Sequence, residues 1–199
     1  MNVFLMIRKY IYIIIFFCCI YTNAYSQPFF IAEKEGLFGY VDSLGIIQIP
    51  YEYPFAYTDT LISIAFVVYE GKIKAIDKEN TKLFTVFPYD NGPDYESDGL
   101  FRIVDDSTGH IGFANMEGLI VIPPKYFFVN PFKQGFATFN EGGKIEYDDE
   151  YKYILGGKWG YIDKKGKVVF PAIFDNASSF EEGKAEIKID NYHFYLYQK

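Results

Sequence analysis

Apolar and polar residues alternate without a break through Ala185-Glu186-Ile187-Lys188-Ile189-Asp190, the pattern of a strand with one buried face. Short apolar stretches such as Tyr40-Val41 and Tyr161-Ile162 run into Asp42 and Asp163, and a glycine stands three residues later at Gly45 and Gly166. Aspartate at the first position of a tight turn accepts backbone hydrogen bonds, and the glycine supplies the positive φ that closes a hairpin. Val168 to Phe170 is then the returning strand. Beyond residue 26 no stretch keeps a 3.6-residue apolar period over three turns, so helix content is expected to be close to nil.

These elements recur along the chain. Twelve residues separate Trp159 from Pro171, Ile111 from Pro123 and Phe38 from Pro50, and twelve more lead to Gly183 and Gly135 in the later copies. A worn copy begins at Gly71-Lys72-Ile73-Lys74-Ala75-Ile76-Asp77 and is read as recovering Phe87-Pro88 and Gly99-Leu100. The units fall at about 31–69, 70–106, 108–140 and 157–190, with 191–199 the opening strand of a fifth and Glu141 to Gly157 an insertion. Each reads as strand, tight turn, strand, proline-led link, glycine, strand. The prolines at 50, 88, 123 and 171 lack an amide donor and are expected at strand ends.

A unit this short cannot bury its apolar face alone, so neighbours must stack. The expected fold is all-β: tandem antiparallel hairpin or meander repeats stacked in an open array, with propeller-like closure as the alternative. Phe38, Gly39, Gly45 and Pro50, then Gly112, Gly118 and Pro123, then Trp159, Gly160, Asp163, Gly166, Pro171 and Gly183 are its repeat-structural positions. Large apolar residues at the matched positions Trp159, Phe38 and Ile111 are expected in the core.

The first residues set the compartment. Arg8 and Lys9 precede the uncharged run Tyr10 to Tyr21, and Ala24 and Ser26 place small residues at the −3 and −1 positions of a cleavage site. This is the layout of a signal peptide over residues 1–26, since a membrane-spanning helix needs roughly 20 apolar residues. A retained anchor is the alternative. Cys18 and Cys19 follow Phe16 and Phe17, not the small residues of a lipoprotein signal. Cleavage removes both cysteines and the two cations, taking the formal charge from −7 to −9 over residues 27–199. Without thiols the domain has no disulfide and no thiolate nucleophile, and must hold together by burial. The acidic balance argues against nucleic acid and anionic lipid, and 19 Tyr with 21 Phe favour half-buried pleated surfaces.

The stretch from Lys158-Trp159-Gly160-Tyr161-Ile162-Asp163 to Ala185 resembles the WG-repeat family of bacterial proteins, in which a Trp-Gly-hydrophobic-hydrophobic-Asp strand leads to a Gly turn, a Pro and a later Gly-Leu-Ala. Phe38 and Ile111 stand where Trp159 does, Lys74 replaces the glycine and Asn115 the aspartate. The resemblance implies an exported or envelope interaction scaffold without a defined activity.

Candidate chemistry is sparse. His110 and His193 read as ordinary strand residues, and no grouping supplies a triad or a zinc site. Asp105-Asp106 and Glu146-Tyr147-Asp148-Asp149-Glu150 lack the alternating calcium-loop pattern and read as solvated charged loops. Tyr51-Glu52-Tyr53 and Tyr147 to Tyr153 read as edge packing, with an exposed contact surface as the alternative. Asn176-Ala177-Ser178 matches a glycosylation sequon. No catalytic, cofactor or metal residue is assigned. The expectation is a non-enzymatic scaffold for a protein or glycan partner, exported to periplasm, cell surface or medium, with no membrane span after cleavage. The alternative is an envelope hydrolase or glycan-processing enzyme with acids from different repeats. Insertions in repeat arrays cluster on one face, so Glu141 to Gly157 is where partner contacts are expected first.

Overall fold

Two-residue turns set the first registers: Glu35-Gly36 and Glu70-Gly71 take positive φ at both residues, the conformation that matches the twist of flanking strands. The computed structural model describes residues 27–148 and 151–198, which contain no helix; the expected signal peptide lies outside the described residues. The first meander comprises β1 (Phe29–Lys34), β2 (Leu37–Val41) and β3 (Ile47–Tyr53), with short β4 (Thr60–Leu61) on the free edge of β1. The second is β5 (Ala65–Tyr69), β6 (Lys72–Ile76) and β7 (Lys82–Val86), followed by a small hairpin, β8 (Pro88–Tyr89) and β9 (Gly92–Pro93). The third is β10 (Phe101–Val104), β11 (Ile111–Ala114) and β12 (Ile120–Tyr126).

In the fourth, β13 (Phe128–Val129) flanks β14 (Phe136–Glu141), and the hairpin β15 (Lys144–Asp148) with β16 (Tyr151–Leu155) precedes β17 (Lys158–Asp163) and β18 (Val168–Phe174). The fifth holds β19 (Asn176–Ala177), β20 (Lys184–Ile189) and β21 (Tyr192–Tyr197). Ile103 opposite Val86 and Val104 opposite Thr85 join β10 to β7, so the second and third meanders share a six-stranded sheet. Each later sheet opens with the strand that closes the preceding sequence unit. Ala137 of β14, for example, pairs with Ile162 of β17.

Period-two alternation then distributes each central strand between two cores. In β17, Tyr161 packs with Phe174, Phe180 and Ala185 toward the fifth meander, while Ile162 packs with Ile111, Phe113 and Phe139 toward the third. In β11, Phe113 joins that second cluster and Ala114 joins Phe66, Val86 and Phe101. Tyr40 and Ile76 share the core between the first two meanders. The apolar clusters therefore join consecutive meanders only, and the array is open as expected. Tyr40 and Tyr161 each donate a hydroxyl hydrogen bond of 2.8 Å, to Thr58 O and Ser178 O, and burial pushes both phenols well up.

Three of the four repeat prolines are not at strand ends. Phe38 pairs with Tyr53 and Tyr40 with Ile49, so two steps along β2 meet four along β3. Ile111/Tyr126 with Phe113/Ile122, and Trp159/Phe174 with Tyr161/Phe170, repeat the irregularity. Pro50, Pro123 and Pro171 open these bulges in mid-strand, on edge strands, where a missing amide donor costs no ladder bond. The bulge backbone presses on the glycine opposite: an added Cβ would lie 2.5 Å from Ile49 O at Gly39, 2.4 Å from Ile122 O at Gly112 and 2.6 Å from Phe170 O at Gly160.

The worn copy departs consistently. With Lys74 in place of the glycine, Lys74 pairs with Thr85 and Ala75 with Phe84 with no bulge between them. Phe84-Thr85 thus holds the place of Ile49-Pro50, and Phe87-Pro88, read from the sequence as the recovered proline motif, lies beyond the strand, with Pro88 opening β8.

The turns after the central strands follow one scheme. Asp42, Asp77 and Asp163 each accept two backbone hydrogen bonds at Oδ1, from the residues two and four positions on. Gly45, Gly118 and Gly166 take φ of 79°, 84° and 75°, and in the worn copy Asn80 fills the position at 61°.

Candidate functional site

Three departures from the regular meander lie beside one another. In the third meander the two-residue turn becomes 105–110, between the paired Val104 and Ile111; in the fourth it becomes 142–157, between Glu141 and Lys158; and the link after the second meander grows the β8–β9 hairpin. Gly109, Ile145, Pro88 and Tyr89, from these three additions, line a single cleft of about 580 Å³. Phe87, Tyr95, Phe127 and Phe128 complete an aromatic lining. Tyr89 and Tyr95 are 47% and 55% exposed and meet edge to face at 5.4 Å. Large rings left half in water in a concave site are ready contacts for a ligand with an apolar face.

Under the rings lies a buried ion pair. Arg102 donates from Nε to Asp94 Oδ2 at 2.9 Å and from Nη2 to Asp94 Oδ1 at 2.7 Å, and the guanidinium stacks on Phe87 at 4.1 Å. Both side chains are almost completely buried. Asp94 Oδ2 also accepts the Arg102 backbone N–H at 2.8 Å. This last bond belongs to a recurring latch: Thr58 Oγ1 accepts from Phe66 N and Ser178 Oγ from Glu186 N, and Asn130 Nδ2 donates to Thr138 Oγ1, each across eight residues. Polar residues at 58, 94, 130 and 178, each eight positions before a strand residue, are the signal in the sequence; nothing local to either residue announces the pairing of Asp94 with Arg102.

Of the two segments expected as solvated loops, Asp105-Asp106 lies in a loop with Asp106 exposed, whereas the second departs from that reading. Glu146 and Asp148 lie on β15, whose residues pair with β16 from Lys144/Leu155 to Asp148/Tyr151, because Ile145, Tyr147, Tyr153 and Ile154 supply strand formers. Residues 149 and 150 lie outside the described residues. Buried Asn140 holds the hairpin base, accepting from Gly143 N at 3.0 Å and donating to Gly156 O at 3.2 Å. Asp105 accepts from Ser107 and Thr108, and Asp106 binds Lys72 at 2.8 Å, Lys74 at 2.6 Å and Thr85 Oγ1 at 2.9 Å. The glycine and proline lost from the worn copy are thus replaced by two members of a polar network.

Lys72 first, then Lys74 and Thr85, holds the Asp106 carboxyl well below its usual range. A depressed folded-state pKa contributes stability above the unfolded value of about 4, lost as pH falls through the folded value. Asp106→Asn should therefore melt lower than wild type at neutral pH, with the gap narrowing steadily below about pH 4. Thermal melts across that range check it; a constant gap would remove the assignment.

Of the remaining sequence positions, Ile111 lines the cleft and the others lie outside its lining. Phe38 and Trp159 are half-buried, edge-on to Phe55 at 5.7 Å and Phe128 at 5.8 Å, while Ile111 is buried. Trp159 thereby touches a wall of the cleft. Tyr53 is fully buried, whereas Tyr147 and Tyr153 are exposed on the inserted hairpin. Gly183 takes a φ of 77° before β20. His110 is half-buried, and exposed His193 lies against Glu186. No cluster of three His, Cys, Asp or Glu side chains suited to a metal occurs among the described residues.

Residues 111–144 and 159–192 each match the family model described as the WG containing repeat. The chain carries WG repeats. The matched segments begin at β11 and β17, and in each WG repeat the glycine is the residue under the proline bulge, Gly112 or Gly160. No curated protein and no solved structure matches the chain. The cleft combines the WG repeat with its departures: Ile111, Phe127 and Phe128 come from the first matched segment, while Tyr89, Gly109 and Ile145 come from the additions, outside both matched segments.

Proposed function

We propose that this protein is an exported, non-enzymatic scaffold that binds a protein or glycan partner in the aromatic cleft. The observation that carries the reading is the convergence of three separate additions to the repeat on one concave surface lined by Tyr89, Tyr95, Phe127 and Phe128. Additions to a repeat array that meet on one face mark its binding side. Export is supported by the basic, apolar and small-residue order of residues 1–26, with periplasm, cell surface or medium as the destination. A glycan-cleaving enzyme would need two carboxyl groups flanking the bond. Asp90 is the acid that lines the cleft among the described residues, and Asp94, outside the lining, is bound to Arg102.

Trp159, the single tryptophan, reports on the cleft through Phe128. Oligosaccharides and envelope proteins that bind on an array should shift its emission, and Tyr89→Ala with Tyr95→Ala should weaken that binding about tenfold or more. Replacing residues 142–157 by Asn-Gly, which joins the paired Glu141 and Lys158 through a two-residue turn, should leave the fold intact and also weaken binding. Binding unaffected by both changes would place the partner elsewhere.

A further inference from the structure

The outer edges of the stack are guarded unequally. β3, β12 and β18 close their sheets, and each is interrupted by a bulge at Pro50, Pro123 or Pro171. Bulges and prolines are the devices that keep an exposed edge from pairing with another chain. The inserted hairpin carries charges instead, at Lys144 and Glu146 of β15. β21 has neither. Its sequence, Tyr192-His193-Phe194-Tyr195-Leu196-Tyr197, contains no proline, glycine, lysine, arginine or acid, and it pairs with β20 in unbroken register. Tyr192, Phe194, Tyr195 and Tyr197 are 70%, 49%, 53% and 72% exposed.

We propose that β21 is a self-association edge, through which two copies of the chain pair antiparallel into one continuous sheet. The strand lacks Lys, Arg, Asp and Glu, so identical edges meet without strong like-charge repulsion although the chain carries a net −7. Antiparallel pairing of a strand with itself has two-fold symmetry and closes at two copies. The chain also shows the same join internally: β7 meets β10 edge to edge and merges two three-stranded meanders into six strands. Doubling the β19-β20-β21 sheet gives the same strand number. Residues opposite one another must share a sheet face, so a two-fold axis at Tyr195 sets Tyr195 against its own mate and Phe194 against Leu196 of the second copy.

Sedimentation velocity of the purified protein should show a concentration-dependent dimer. Tyr192→Lys with Phe194→Lys should weaken it about tenfold or more, because a charged edge resists strand pairing and the ammonium at position 194 would be pressed against Leu196 of the second copy, with an unchanged circular dichroism spectrum. In a C18S/C19S background, Tyr195→Cys should cross-link copies on mild oxidation, and Leu44→Cys, on the 82%-exposed turn residue between β2 and β3, should not. A monomer at every concentration, a dimer indifferent to the two lysines, or equal cross-linking from both cysteines overturns the proposal.

Discussion

Asp94→Ala should destabilise the protein by about 3–5 kcal/mol, the range for removing one partner of a buried ion pair. Arg102 would keep its charge with its main acceptor gone: Nη1 reaches only Val129 O, at 3.5 Å, and the ring of Phe87 offers a face but no lone pair. The Arg102 backbone N–H would lose its latch in the same step. Asp94→Ala combined with Arg102→Met should recover much of the loss, since an apolar pair of similar volume often does as well as a buried salt bridge. Arg102→Lys should not substitute, because an ammonium cannot present two parallel donors to the carboxylate while stacking on Phe87. Urea unfolding of the three variants checks this. A single-variant loss under about 1 kcal/mol would mean that water reaches the floor of the cleft.

Gly112→Ala should cost about 3 kcal/mol, at the upper end of overpacking. The new methyl would stand 2.4 Å from Ile122 O and 2.5 Å from Pro124 N, backbone atoms that no rotamer change can move aside. The bulge would have to shift, and with it the pairing that seats Ile122 and Tyr126 in the core. Gly45→Ala is the contrasting case: nothing lies within 4 Å of its added Cβ, but φ is 79°. That change should cost about 1–2 kcal/mol through left-handed backbone alone. Gly45→Asn should cost less, as Asn80 already holds the equivalent place in the second meander. If Gly112→Ala proved as mild as Gly45→Asn in equilibrium melts, the close approach of the bulge would not be a constraint.

The repeat was legible because its signals are local. Asp42 with Gly45, and Asp163 with Gly166, announce turns through hydrogen bonds spanning two to four residues, and the alternation of Ala185 to Asp190 announces a strand by itself. The spacing from Phe38 to Pro50 was equally visible, but its meaning was not. Proline in a strand sequence is compatible with an end, an edge or a bulge, and only the register shift between Phe38/Tyr53 and Tyr40/Ile49 decides among them. In the worn copy the proline itself pointed to Pro88, where pairing selects Thr85, twelve residues after Ile73, and the loss of the glycine at Lys74 removes the need for a bulge.

The candidate site was harder to see. The insertion at Glu141 stands out in the sequence, yet its acids give the impression of a solvated loop, while Ile145 is the residue that lines the cleft. Tyr89, Tyr95 and Phe127 lie in links whose mutual approach depends on how three meanders stack, which no local pattern encodes. Asp94 and Arg102 are an ordinary acid and an ordinary cation until the latch places both under the aromatic lining.

Tyr161 and Ile162 are covalent neighbours that belong to different interiors. The strand they share is a party wall between two rooms, and damage to it is felt on both sides. An outermost wall has one room behind it and weather in front. Tolerance to substitution should therefore grade along the chain, tightest in β11 and β17 and loosening toward β1 and β21, even where side-chain size and chemistry are the same.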